Sequence, residues 1–507
     1  MFRRDFLKIT AAALAAGLTP PGLVSESGPI VERPNLIVIL CDAFSAAHLS
    51  LHGYPRQTTP NIDAFAGRSL VYHNHYSGGN FTTTGTASML SGMNAWKHRA
   101  INYEGLVTSD HIKTNPFSAL GSAYHRFAFA QNIWPVRLLD QYHEDIDRFL
   151  APFSYSLMKD YSLKWIFKND PLLASIAVDD LLLTVEAESP AASSVLGYIK
   201  KRRVLESEQS QKSPRYPKGF PEIMQNGYLI PYINEDVFKG ILTELSALEQ
   251  AGSPYFAYFH LWSPHYPYRP RSDFRNLFKD GYTPFTKPVH PLSLGVGEDY
   301  ALSQRVLYDQ QIAQIDEEFG QLIIQLEAQG ILDRSYVFFT SDHGELFERG
   351  SVGHGHELMY DPVIRIPLIV HAPLQSERRD VFDLTSNIDL LPTLLSLAGK
   401  ETPPEVEGKV LPGLGGFVDE ARSIFSIFAI RNSAFMPIKR AAISMRKKAH
   451  QLIAYPGYPE VGRDYELYDL ETDPEELLDL APQSPHVFAG LKDEFLTYFN
   501  SANQPFL

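Results

Sequence analysis

The chain has 507 residues, 44% of them hydrophobic and 12% aromatic, which exceeds one small core and argues for a large α/β domain with a smaller one beside it. A formal charge of −14 gives no reason to expect nucleic acid or an anionic membrane as partner, although a local cationic pocket for an anionic substrate stays open. The single cysteine, Cys41, excludes an intramolecular disulfide and a multi-cysteine zinc site, and its place in an apolar run makes it a core residue.

The chain opens with Arg3-Arg4-Asp5-Phe6-Leu7-Lys8, a mild apolar run over 9–18, and Pro20-Pro21-Gly22. That is the twin-arginine order of charge, short apolar region and breaker, and the run is too short to cross a bilayer. Residues 1–26 are therefore expected to be a signal peptide read by the twin-arginine export machinery, with cleavage between about Ala15 and Glu26. The mature protein would be periplasmic or extracellular, with no stable transmembrane segment. The other reading of this stretch is a disordered basic N-terminus. Residues 27–34 read as a linker.

Asn35-Leu36-Ile37-Val38-Ile39-Leu40-Cys41-Asp42 is an unbroken apolar strand that ends in a carboxylate. The segment 78–92 is a Gly- and Thr-rich loop entering a short apolar helix that stops at Gly92. Hydroxyls at a helix start meet unpaired N–H groups and the positive end of the dipole, which suits an anion. Residues 120–132 read as a helix end and a further parallel strand, after which Asn132 is either a strand-end cap or a substrate contact. From 135 to 250 apolar and charged residues alternate in helical fashion around a solvated stretch at 200–218, the pattern of a helical insert and possible lid.

The strand pattern resumes at Tyr255-Phe256-Ala257-Tyr258-Phe259-His260-Leu261, in which His260 reads as a satisfied core histidine. A long amphipathic helix is expected over 303–329, with Asp309 and Asp316 facing solvent or capping neighbours. Then Tyr336-Val337-Phe338-Phe339-Thr340 forms a buried strand whose end delivers Ser341-Asp342-His343-Gly344-Glu345 to the rim where open α/β sheets bind ligands. Asp342 and His343 offer hard oxygen and borderline nitrogen, a pair suited to a divalent cation, although alone they read equally as a turn with an Asx cap. His354 and His356 follow on a Gly-flanked loop, free to point inward. Residues 386–399 open a further helix in which Asp389 is an N-terminal residue and no ligand.

The order and spacing of Pro34 to Asp42, Thr59-Pro60-Asn61-Ile62-Asp63, Tyr72-His73-Asn74, the segment ending at Gly92, and Tyr465-Glu466-Leu467-Tyr468-Asp469 resemble the sulfatase and alkaline-phosphatase-like superfamily. The resemblance covers nearly all of the chain outside the insert. It implies an α/β fold with a mostly parallel sheet between helices over 35–400, and a smaller antiparallel α+β subdomain over 401–507. It places the nucleophile ten residues before Gly92, at Thr82, a substrate histidine at His265, and a substrate-binding group at His356, with His354 beside it. True sulfatases carry Cys or Ser there, followed by x-Pro-Ser-Arg, and oxidise the first residue to formylglycine. This chain reads Thr82-Thr83-Thr84-Gly85-Thr86, has Ala43 where a second metal-binding Asp is usual, and lacks the Lys-x-His pair after the 120–132 strand. What is left, Asp42, Thr82, Asp342 and His343, is similar to the single-metal set of the superfamily's Thr-nucleophile phosphodiesterases and phosphoglycerol and phosphoethanolamine transferases.

The function so implied is hydrolysis or transfer of a phosphate ester through phosphothreonine. Its substrate would be an anionic ester, lipid- or glycan-linked, and its cofactor one divalent ion, Mn²⁺ or Zn²⁺ before Ca²⁺ or Mg²⁺. His265 or His356 would protonate the leaving oxygen. The rival activities are sulfate ester hydrolysis by an unmodified threonine and, from another class, a catalytically dead binding homologue.

Overall fold

A computed structural model describes residues 33–152, 154–155 and 232–507, with isolated positions 196, 199 and 203 between them. The expected signal peptide and most of the expected insert lie outside these residues.

Eight strands form one sheet: β1 (Asn35–Cys41), β2 (Leu70–Tyr76), β3 (His125–Ala130), β4 (Arg148–Leu150), β5 (Tyr255–Leu261), β6 (Ser335–Thr340), β9 (Leu368–His371) and β10 (Arg379–Ser386). Their order is β10-β2-β9-β6-β1-β5-β3-β4, and only β9 runs against its neighbours. A separate hairpin, β7 (Leu346–Glu348) and β8 (Ser351–Gly353), follows β6. The central strands are apolar on both faces because both are covered. One face, with Ile37, Ile39, Phe259 and Phe339, packs under α1 (Pro60–Ala66), α4 (Asn234–Gln250) and α5 (Glu298–Ala328). The other, with Leu36, Val38, Tyr258 and Phe338, packs under α2 (Thr82–Ser91), α3 (Ile133–Asp140) and α6 (Leu390–Leu397).

The expected 303–329 helix is α5, which begins five residues earlier. Neither Asp309 nor Asp316 faces solvent, since the middle of the helix is covered on several sides. Asp316 caps α1 by accepting from the N–H groups of Ile62 at 2.7 Å and Asn61 at 3.0 Å, groups that the helix start leaves without partners. Asp309 accepts from Tyr54 and Arg56, both at 2.7 Å, and pairs with His48 at 2.6 Å.

Beyond α6 the chain builds an antiparallel sheet of β11 (Ser423–Phe428), β12 (Ala442–Lys447), β13 (His450–Ala454) and β14 (Tyr465–Asp469), covered by α7 (Pro485–Asn503) through Leu491 and Phe495. The α/β class with a smaller antiparallel unit is thus the observed fold. Its register positions the site. Leu40 lies opposite both His260 and Thr340, and Ala130 lies opposite His260, so β1, β3, β5 and β6 end on one line. The next residues, Asp42, Asn132 and Asp342, emerge on one rim.

Candidate active site

Asp42 extends the β1–β5 ladder by one bond, its N–H donating to Leu261 O at 2.9 Å, and then Ala43 turns the chain at φ +61°. A left-handed alanine costs on the order of 1 kcal/mol, and here the surroundings hold it: Ala43 N–H donates to Asp342 Oδ1 at 3.3 Å and Phe44 N–H to Ser341 Oγ at 2.9 Å. Helix α2 arrives from the opposite side, and Gly85 lets it come close: a Cβ there would lie 2.2 Å from Asp342 O. Asn387 ties the approach down, accepting from Gly78 N–H and donating to Gly85 O, both at 2.9 Å. Phe81 precedes α2 without a capping side chain, and the N–H groups of Thr82, Thr83 and Thr84 reach no acceptor among the described residues.

Thr82, the first residue of α2, is buried with its Oγ 3.4 Å from His343 Nε2 and 3.5 Å from Asn132 Nδ2. Each carboxylate opposite it is half satisfied. Asp42 Oδ2 accepts from Asn132 Nδ2 at 2.6 Å, and Asp342 Oδ1 from His343 N–H at 3.0 Å, while Asp42 Oδ1 and Asp342 Oδ2 are buried without a donor among the described residues. Burial and the charge of Asp42 raise the Asp342 carboxyl. Burial works the same way on Asp42, yet His265, His260 and His343 outweigh it and hold it well below the usual carboxylate range. Burial lowers His343, but Asp342 and Asp42 more than offset this and push it up to about 9. Two carboxylates turned toward one point are calling for positive charge.

Asp42, His260 and Asp342 offer ligand atoms within 4.8 Å of one another. The hydrogen bonds separate the two histidines nearby. His343 Nδ1 donates to Gly344 O at 2.8 Å, so its Nε2, 3.3 Å from Asp42 Oδ1, is the atom that turns a lone pair inward once a cation replaces the proton. His260 Nδ1 lies 3.0 Å from the Tyr258 hydroxyl, which has no other acceptor among the described residues; the hydroxyl therefore donates, and His260 Nε2 carries a hydrogen toward Asp42 Oδ2 at 3.3 Å. His260 acts as a donor to the carboxylates, which favours Asp42, Asp342, His343 and Thr82 as the holding set. The orphaned oxygens and this donor chemistry fit a divalent cation.

The remaining histidines come from loops bolted to the Thr82 segment. Asn80 O accepts from Gly355 N–H at 3.0 Å and Asn80 Nδ2 donates to His356 O at 2.5 Å, while the Tyr103 hydroxyl donates to Gly355 O at 3.0 Å. The His354 ring lies 4.2 Å from that of His343 and 4.7 Å from that of His265. His265 Nδ1 donates to Tyr266 O at 2.6 Å. His356 Nδ1 accepts from Leu358 N–H at 3.3 Å, which puts its hydrogen on Nε2, a buried atom without a partner. Burial, and then the neighbouring His354, bring His356 down to about 4.

These contacts join Asp42, Thr82, Asn132, Asp342 and His343, and set His354 against His343 and His265, with His356 two residues further along the same loop. Asn132 fills the capping half of its reading, accepting from Trp134 N–H at 3.1 Å, and its amide hydrogens serve Asp42 and Thr82. Sequence reasoning placed His260 in the core, and the structure places it there but against both carboxylates; its register beside Leu40 and its shared face with Tyr258 were the available signal. Asn80, Glu345 and Asn387 were missed, because a lone polar residue in a loop carries no sign of its partner. A cavity of about 230 Å³, lined by Phe382, Lys409, Phe417 and Arg422, lies apart from these residues.

The family model described as sulfatase matches residues 34–400. The chain belongs to the sulfatase family. A second model, the C-terminal region of N-sulphoglucosamine sulphohydrolase, matches residues 353–498. Over 485 residues the chain is 22% identical to an arylsulfatase of Clostridium perfringens (strain 13 / Type A), covering 88% of this chain and 90% of that protein. It is 22% identical over 506 residues to an N-acetylgalactosamine-6-O-sulfatase of Bacteroides thetaiotaomicron, covering 92% and 93%. The solved phosphonate monoester hydrolase of Agrobacterium radiobacter shares the fold, with a TM-score of 0.64 at 18% identity over 93% of this chain and 96% of that one. This sulfatase-family protein is accordingly a hydrolase of the alkaline-phosphatase-like superfamily. Among the described residues no helix is long and apolar enough to cross a membrane.

Proposed function

We propose that this sulfatase-family enzyme acts on phosphate esters, diesters above all, through Thr82 as nucleophile and a covalent phosphothreonine. The observation that carries the reading is a threonine hydroxyl at an uncapped helix start, facing two carboxylates that each leave one oxygen free. Threonine's Cβ methyl bars oxidation to the aldehyde that sulfatases use, and Thr86 stands in place of the supporting arginine.

Asp42, Asp342, His343 and Thr82 would hold one divalent ion, and two carboxylates, an imidazole and a hydroxyl suit Mn²⁺ or Zn²⁺ better than Ca²⁺. When bound, the ion supplies positive charge that lowers the proton affinity of the Thr82 hydroxyl and offsets charge on the transferred group. Thr82 Oγ attacks phosphorus in line as the bond to the leaving oxygen breaks. The free N–H groups of Thr82 to Thr84 bind the non-bridging oxygens, and His356 Nε2–H adds a further donor. His265, oriented by Tyr266 O through Nδ1–H, acts in its doubly protonated form, giving the Nε2 proton to the leaving oxygen, and the proton shed by Thr82 Oγ restores it. Resolution by water gives hydrolysis, and by an alcohol gives transfer.

The substrate is an anionic ester on a lipid or glycan, selected by the part of the expected 135–250 insert that lies between β4 and α4, since its two ends, in α3 and β4 and in α4, belong to the core of the large sheet. The enzyme meets it outside the cytoplasm after twin-arginine export; a cytoplasmic precursor in an export-deficient host checks the last point. One observation favours a second reading, sulfate ester hydrolysis: the curated relatives reported above are named sulfatases. Metal-reconstituted enzyme and Thr82→Ala, assayed on aryl phosphodiester, phosphomonoester and sulfate ester, separate the two. We expect phosphodiester turnover to fall on the order of 10³-fold or more in Thr82→Ala with its fold unchanged. Full activity of the variant sinks the nucleophile, and preference for the sulfate ester establishes the second reading.

A further inference from the structure

The β7–β8 hairpin turns through Arg349 and Gly350, both at positive φ (+56° and +78°), the conformation of a tight two-residue hairpin turn that fixes register. Leu346 pairs with Gly353, so the residues just outside the ladder, Glu345 and His354, are forced opposite each other. Glu345 Oε1 lies 2.8 Å from His354 Nδ1, with the carboxylate fully buried and the imidazole side chain only 15% exposed. Gly344 cannot carry a side chain here, since a Cβ would lie 2.2 Å from Pro362 O, so the chain enters the hairpin on a fixed path. His354 Nε2 is left without a partner among the described residues, on a ring 4.2 Å from that of His343, whose own Nε2 is 3.4 Å from Thr82 Oγ. Nothing in the proposed phosphorylation of Thr82 uses Glu345 or this nitrogen.

We infer that Glu345 is a positioning residue that holds the Nδ1–H of His354 and thereby presents Nε2, as a lone-pair acceptor, to the water that resolves the phosphothreonine. The inference rests on the Thr82 reading above and adds the second half of the cycle. The water oxygen forms a new bond to phosphorus as the bond from phosphorus to Thr82 Oγ breaks. One water proton passes to His354 Nε2, and that proton returns to Thr82 Oγ as the phosphomonoester departs. A carboxylate behind an imidazole fixes its tautomer and its aim, the service that hydrogen-bonded partners perform for histidines in other sites. The hairpin would then bias the enzyme toward hydrolysis over transfer.

The test is a double-mutant cycle on metal-loaded enzyme with an aryl phosphodiester, read by rapid quench and by mass of the Thr82 peptide. In Glu345→Ala the phosphorylation burst should hold within about 3-fold while steady turnover falls roughly 10- to 100-fold, and Thr82 should accumulate the phosphoryl group. In a His354→Ala background, the further change Glu345→Ala should cost less than about 2-fold, because its partner is gone. Glu345→Gln, which keeps the size and an acceptor oxygen, should recover part of the loss and serves if the alanine variant fails to fold. Metal content should match wild type in all of them. An equal loss in both backgrounds, a burst that falls with turnover, or a loss of metal overturns the inference. If Thr82 never carries label in any variant, the covalent reading fails instead, while the cycle on steady turnover still decides whether Glu345 works through His354.

Discussion

Two buried carboxylate clusters in this protein are built from the same chemistry and finished differently. At the junction with the C-terminal sheet, Asp389 has both oxygens occupied: Oδ1 accepts from Lys409 N–H at 2.8 Å and Arg422 Nη2 at 2.5 Å, and Oδ2 from Ser386 N–H at 2.9 Å and Arg422 Nη1 at 2.7 Å. At the rim of the large sheet, Asp42 and Asp342 each keep one oxygen without a donor among the described residues, and Ala43, which follows Asp42, stands in a strained conformation. A completed network holds the fold, whereas an incomplete one stores an unmet demand for a cation and substrate. The contrast separates structural from functional acids without reference to any relative.

Neutralising one acid in each cluster should therefore move stability in opposite directions. Asp389→Asn breaks a buried, bidentate pair with Arg422 and should cost about 3 kcal/mol in denaturant unfolding. Asp342→Asn, measured in chelator-treated protein, removes a like-charge neighbour from Asp42 and should leave stability unchanged or raise it by about 1 kcal/mol, while abolishing metal retention. If the asparagine at 342 proves as damaging as that at 389 in metal-free protein, the rim is as structural as the junction and the comparison collapses.

A smaller effect tests how the rim is assembled. Gly85→Ala sets a Cβ against the carbonyl oxygen of Asp342, a backbone atom that cannot swing aside, so α2 must shift away from β6. We expect a loss of about 2 kcal/mol in stability and a fall in turnover, since a displacement under 1 Å at Thr82 spoils in-line geometry. An alanine variant with wild-type activity would show that the α2–β6 contact does not set the position of the nucleophile.

The sequence made the rim legible to the extent that each piece is local. An apolar run ending in a polar residue declares a buried strand and its rim, which is why Asp42, Asp342 and His343 stood out, and a Gly- and Thr-rich loop before an apolar segment declares a short helix ending at Gly92, whose start at Thr82 and lack of a cap only the structure shows. Thr82 as nucleophile came from family register, since hydroxyls in a Thr-rich turn read equally as local backbone partners. The parts that needed three dimensions were missed. Asn80 and Asn387 work by gripping carbonyls 276 and 302 positions away, and for Asp309 the choice between facing solvent and capping a neighbour stayed open because nothing in a helix reveals that its polar side meets His48, Tyr54 and Arg56. Glu345 is the instructive case: it is nine residues from His354, and only the hairpin's tight turn, through a non-glycine residue at positive φ, brings them together.

The smallest effect concerns Glu476, which follows β14 in a left-handed turn at φ +55° and meets the short helical turn Asp361–Ile364 by accepting from Asp361 N–H at 3.1 Å. Burial first, and then the Asp361 charge, push its carboxyl up to about 8, against 4.5 for the ordinary group. The folded state therefore binds this proton more tightly than the unfolded chain at every pH between those values. Stability is complete below about pH 4.5, falls as the pH rises toward 8, and is flat above it. Glu476→Gln keeps an acceptor for Asp361 N–H and removes the titration, so wild type should lose on the order of 1 kcal/mol relative to the variant between about pH 6 and 9 in parallel melts. Parallel curves would mean that Arg349 and Lys287, which oppose the rise, already hold Glu476 ionised and that this seam is finished in the manner of Asp389.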